Sequence, residues 1–219
     1  MTLIKTKSRG IADNAVGASA LDLTANYTFT GTHKTNNGMD LLVSRVDSSE
    51  VVYNSDTVIF DFTSYLSTYK TFMYTLEIMP TSPGGNYHLW QFYKSTTGGG
   101  RITGRTITNG RTDNNANNSP DTGTGDYHKI FYQAAGPGIA GYITGYIVNG
   151  QRSDADYDAA AYGIVNYHYS GVGQATNTFS FAASGGAASG IGVLGLNLDQ
   201  ISHSNDMTAK VNAHLWGVK

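Results

Sequence analysis

Tyr69-Lys70-Thr71-Phe72-Met73-Tyr74-Thr75-Leu76-Glu77-Ile78-Met79-Pro80 alternates along its whole length, and the two-residue period puts Phe72, Tyr74, Leu76 and Ile78 on one face. That is the pattern of a long strand with one side in a core, stopped by proline. Thr81-Ser82-Pro83-Gly84-Gly85-Asn86 then joins it to a second aromatic run, Tyr87-His88-Leu89-Trp90-Gln91-Phe92-Tyr93. A connection of this length and composition links neighbouring strands.

The same texture extends both ways. Upstream, Tyr27–Thr30, Met39–Val43, Val51–Tyr53 and Thr57–Phe62 are short β-branched or aromatic runs parted by Gly, Asn, Asp and Ser. Downstream, strands are expected at Tyr127–Gln133, Gly141–Val148, Ala161–Tyr169, Thr176–Ala182, Ile191–Leu198 and Thr208–Gly217. Asn149-Gly150 is a tight-turn signal, and the Gly98-Gly99-Gly100 and Ser184–Gly190 segments read as hairpin turns. The polar zone Asn109–Gly125, with Asn114, Asn115, Asn117 and Asn118, offers little to a core and is expected to be an exposed loop. Ten or so strands and no long helical period imply an all-β, antiparallel β-sandwich, jelly-roll-like.

Composition narrows the function. Only 14% of the 219 residues are charged, while there are 27 Gly and 15 Tyr, so hydroxyls and amides solvate much of the surface. Such a surface suits extended protein contacts or sugars. A net charge of −2 with scattered Lys and Arg argues against nucleic acid as partner. Without cysteine there is neither disulfide nor thiolate chemistry. No apolar run is long enough to span a membrane as a helix, so no membrane insertion is expected.

No arrangement of residues announces catalysis. Asp154, Asp156 and Asp158 alternate like the opening of a calcium loop, but Ala159 and Val165 stand where that loop needs glycine and a bidentate glutamate. A solvated acidic turn is the better reading, with an irregular calcium site as the alternative. The six histidines lack zinc-site spacing, Gly-x-Ser-x-Gly is absent, and only Glu50 and Glu77 supply glutamates. Neither an enzyme nor a cofactor is therefore expected. The tyrosines are more suggestive, because each couples an apolar ring to a polar tip: Tyr142, Tyr146 and Tyr157 are candidate surface contacts, together with the four loop asparagines. Trp90 and Trp216 are expected to be structural.

At the amino end, Lys5-Thr6-Lys7-Ser8-Arg9-Gly10-Ile11-Ala12-Asp13-Asn14-Ala15-Val16-Gly17 continues to Leu21 with enough alanine for one or two helical turns, which Asp13 or Asn14 would cap. The segment resembles the start of tailed-bacteriophage virion proteins, fibre and decoration subunits among them, where (K)-x-(K)-x-R-G-I-x-D-x-A-(V/I)-(G/T) precedes a β-sandwich head. A similar pattern lies near the other end, in Leu196-Asn197-Leu198 and Ala213-His214-Leu215-Trp216-Gly217-Val218. The block Tyr65, Tyr69, Phe72, Tyr74, Leu76, Ile78, Pro80, followed by Leu89 and Gly98–Gly100, resembles the head pattern of the same proteins.

The resemblance implies a short extended or partly helical arm over residues 1–26, attaching to the virion through Lys5, Lys7, Arg9, Gly10, Ile11, Asp13, Val16 and Leu21, and a jelly-roll-like head over 27–219. It further implies a homotrimer, other virion proteins of capsid or tail as partners, host surface glycan as a further contact, and assembly into virions in the host cytoplasm. A tail fibre or appendage is the first expectation, a capsid decoration or spike protein the second. A lectin-like or glycan-active module is the third.

Overall fold

The computed structural model describes residues 33–34, 38–53, 57–81, 85–111, 121–126, 128–135, 141–150, 159–169, 173–183, 190–200 and 207–219. The expected arm lies outside them. Within residues 32–219, which cluster as one compact unit, the strands are β1 (His33–Lys34), β2 (Met39–Val46), β3 (Val51–Tyr53), β4 (Thr57–Asp61), β5 (Thr71–Pro80), β6 (Gly85–Lys94) and β7 (Gly104–Arg111), then β8 (Asp121–Gly125), β9 (His128–Ala135), β10 (Gly141–Asn149), β11 (Ala159–Tyr169), β12 (Gly173–Ala183), β13 (Val193–Gln200) and β14 (Met207–Val218).

Four antiparallel pairs nest inside one another: β2 with β14, β4 with β13, β5 with β10, and β6 with β9. Joined through β14–β5 and β13–β6, they give two four-stranded sheets, β2-β14-β5-β10 and β4-β13-β6-β9. This is one long hairpin rolled upon itself, the connectivity of a jelly roll. Two inserted strand pairs, β11–β12 and β7–β8, continue the first sheet beyond β10 in the order β11-β12-β7-β8, and with β1 beside β2 and β3 beside β14 it has ten strands against four. All pairings are antiparallel, and the all-β sandwich expected from the sequence is the fold.

The core fills the gap between the sheets. Phe72, Tyr74, Leu76 and Ile78 of β5 are all fully buried, as the alternation requires, and meet Leu89 and Tyr93 of β6 and Leu194, Leu196 and Leu198 of β13. Glycines in the strands make room for rings. Gly145, Gly163 and Gly195 stand directly opposite Tyr74, Phe179 and Phe92, and the ring covers the space a Cβ would take. On the far side of the small sheet, the Lys94 ammonium and the Arg101 guanidinium both approach the Phe92 ring, each 5.6 Å from its centroid.

Buried polar groups tie the edges. Asp40 on β2 accepts a hydrogen bond from the Tyr69 hydroxyl and pairs with Lys219 Nζ at 3.1 Å. Asp47 accepts from the Tyr53 hydroxyl and, at 2.9 Å, from Arg45 Nε, while Arg45 Nη1 reaches the Val58 carbonyl at 2.8 Å. This cluster links β2 and β3 of the large sheet to β4 of the small one.

Two expectations change. Asn109–Gly125 is not one loop: β7 and β8 run into it from both ends and pair with each other, and β7 pairs with β12. Strands at the margin of a sheet need backbone partners more than a core face, so polarity was a poor guide there. The asparagines expected as contacts, Asn114, Asn115, Asn117 and Asn118, lie outside the described residues. Nor does Asn149-Gly150 form a two-residue hairpin, because Asn149 pairs with Ala159 across a longer connection.

Asn149 instead brackets a distant backbone. Its Nδ2 donates to the Ile191 carbonyl at 2.9 Å and its Oδ1 accepts from the Ile191 N–H at 2.8 Å, holding the approach to β13 against the end of β10. Both residues are buried. Asn149→Ala strands a buried donor and a buried acceptor and is expected to cost about 2 kcal/mol, read from the urea midpoint; an unchanged midpoint would remove this role.

Candidate functional site

The outward side of the large sheet presents its side chains in transverse rows, fixed by the register. One row crosses Leu41, Trp216, Met73, Tyr146, Tyr162, Ser180 and Ile107. The next crosses Ser44, His214, Thr75, Thr144, Ile164 and Thr178, and a third Asn212, Glu77, Tyr142, Asn166 and Thr176. The alternation that buries Ala161, Val165, Phe179 and Phe181 turns Tyr162, Ile164, Thr178 and Ser180 outward.

Apolar groups concentrate where β10, β11, β12 and β7 meet. Tyr142 is 48% exposed, Tyr162 47%, Ile164 46% and Ile107 37%. The Tyr146 and Tyr162 rings are stacked, 5.4 Å apart at 19°. Beside them Ile107, Thr144, Ile164, Thr178 and Ser180 line an open groove of about 400 Å³. Exposed aromatic and branched apolar groups gathered in one place mark a contact surface, which scattered ones do not.

Charge is sparse among the described side chains of this face. Glu77 and Lys210 stand on β5 and β14, away from the groove, and Arg105 is exposed two residues before Ile107. His214 is 3.1 Å from Ser44 Oγ and its ring centroid lies 5.7 Å from that of Trp216. Among the described residues, no group of three His, Asp or Glu side chains is placed to hold a metal ion. No helix among them is long and apolar enough to cross a membrane.

Of the residues singled out in the sequence, Tyr142 and Tyr146 come together on this face. Tyr157, Asp154, Asp156 and Asp158, like the arm residues Lys5, Lys7, Arg9, Gly10, Ile11, Asp13, Val16 and Leu21, lie outside the described residues. Tyr93 and Tyr167 are buried in the core. Ile164 and Ile107 were not expected as contacts. The signal for Ile164 was the parity of β11, in which small residues at 159 and 161 leave Tyr162 and Ile164 on the opposite side.

No family model matches this chain, and no curated protein does. A solved structure that it resembles, the marine PL-14 alginate lyase from Aplysia kurodai, is 8% identical over 86% of both chains with a TM-score of 0.39. That likeness assigns no residue a role.

Proposed function

We propose that this chain is a non-catalytic recognition subunit of a tailed-phage virion, of the tail-fibre or appendage type, held through its amino-terminal segment and working as a homotrimer. The observation that carries the recognition role is the outward face of the large sheet, with Tyr142, Tyr146, Tyr162, Ile164 and Ile107 gathered on paired strands and almost no charge among them. A rigid sheet holds such side chains without an ordering cost at each contact. Several copies on one particle turn weak contacts into firm attachment. The resemblance of Lys5–Leu21 to virion attachment segments supports the placement.

The test uses particles from the genome that encodes the chain. The subunit is expected on purified virions, and particles carrying Tyr142→Ala with Tyr162→Ala are expected to incorporate it normally while adsorption falls about tenfold or more, as loss of one hot-spot cluster predicts. Absence of the subunit from virions would overturn the placement. Unchanged adsorption would overturn the role of the face.

A further inference from the structure

We infer that the groove beside Tyr146 and Tyr162 seats an uncharged hexopyranose unit of a polysaccharide, an assignment that rests on the recognition role of this face. Its volume of about 400 Å³ falls in the range of roughly 300–1,000 Å³ typical of small-ligand sites. Its chemistry is two-sided, as a sugar ring is. Tyr146, Tyr162, Ile107 and Ile164 offer ring and branched apolar surface to the C–H side of a pyranose, and Thr144, Thr178 and Ser180 add hydroxyl-bearing side chains to a lining that is mostly apolar.

Charge decides among the occupants that an amphipathic groove can take. Among the described residues, no carboxylate or cation lines it. A phosphate or carboxylate seated there would lose water without a counter-charge. Single-stranded nucleic acid stacks on tyrosines equally well but brings one phosphate per base, and no cation is among the described residues that line the groove. A neutral, hydroxyl-rich ring matches both the apolar walls and the absence of charge.

The test is affinity electrophoresis of the purified full chain in gels containing dextran, a mixed-linkage β-glucan or galactomannan, with polygalacturonate and chondroitin sulfate as anionic counterparts. Oligothymidylate binding and oligomeric state are measured alongside. Retardation by at least one neutral polysaccharide is expected, weakened about tenfold or more by Tyr162→Ala and by Ile107→Asp, with thermal unfolding unchanged in the first variant. A control, Val52→Ala on another part of the surface, is expected to bind normally. Binding to anionic polymers or oligothymidylate alone, no binding to any neutral polysaccharide, or full binding by Tyr162→Ala would overturn the assignment. Because purified chain is used, a negative result beside variant particles that adsorb poorly sinks the ligand and leaves the recognition role standing.

Discussion

Gly145→Val is expected to cost more than about 3 kcal/mol of folding free energy, enough to unfold a marginal domain. Gly145 sits mid-strand in β10 opposite Tyr74, and a Cβ there would lie 2.3 Å from the Tyr74 ring and 2.4 Å from its hydroxyl oxygen. Tyr74 has nowhere to go, since it is fully buried and its hydroxyl donates to Gln91 Oε1 at 3.2 Å. Across β11 stands Gly163, whose own Cβ site is closed by the Thr144 carbonyl at 2.4 Å and the Phe179 ring at 2.8 Å. Relief by shifting the backbone would therefore drive one paired strand into the next. Gly98→Ala, at a position with open space around its Cβ, is expected to stay within about 0.5 kcal/mol of the parent. Combining Gly145→Val with Tyr74→Ala should cost less than the two changes summed, by about 1 kcal/mol or more. Urea midpoints of the three variants check this, and a Gly145→Val protein as stable as the parent would show that the ring does not occupy the space assigned to it.

The same pairings show what sequence could and could not reveal. β5 was legible because it is central and half-buried, so its alternation is long and unbroken, with Phe72, Tyr74, Leu76 and Ile78 at 0% exposure. β7 and β8 were not, because they lie at the margin of the large sheet, where Gly104, Gly110, Gly123 and Gly125 carry backbone pairing with few apolar side chains to mark a face. Glycine within a strand reads as a turn until its partner ring is known, and the opposite numbers of Gly145, Gly163 and Gly195 are 71, 16 and 103 residues away. Asn149 misled for a related reason, since its bracket on Ile191 is formed 42 residues along the chain. The binding face was half visible: Tyr142 and Tyr146 lie on one strand, whereas Tyr162, Ile164 and Ile107 join them only through the register of β10, β11, β12 and β7.

Above pH about 10, the ordinary phenol value, the protein is expected to lose stability steeply, and the cause is also in the core. Tyr74 and Tyr93 both donate to Gln91 Oε1, 3.2 Å from each. Burial raises the pKa of each phenol above its ordinary value, and the proximity of Tyr74 raises Tyr93 further. Tyr53 moves the same way, through burial and its hydrogen bond to Asp47. A group whose pKa is raised by folding keeps its proton in the native state after the unfolded chain has released it. The stabilisation is therefore complete below the unfolded value and disappears as pH climbs toward the folded one. Each such phenol contributes a slope of about 1.4 kcal/mol per pH unit in that window, so Tyr74 and Tyr93 together contribute about 2.7. Urea midpoints should hold level up to the phenol range and then fall, with tyrosinate absorbance appearing together with unfolding for these two residues. Tyr93→Phe keeps the ring stacked on Phe181, 4.9 Å away, and removes one titrating group, so its alkaline slope should be shallower by about 1.4 kcal/mol per pH unit. A parent midpoint that stays level through this range, or a Tyr93→Phe slope equal to the parent's, would place these hydroxyls in contact with water and undo the account of the core.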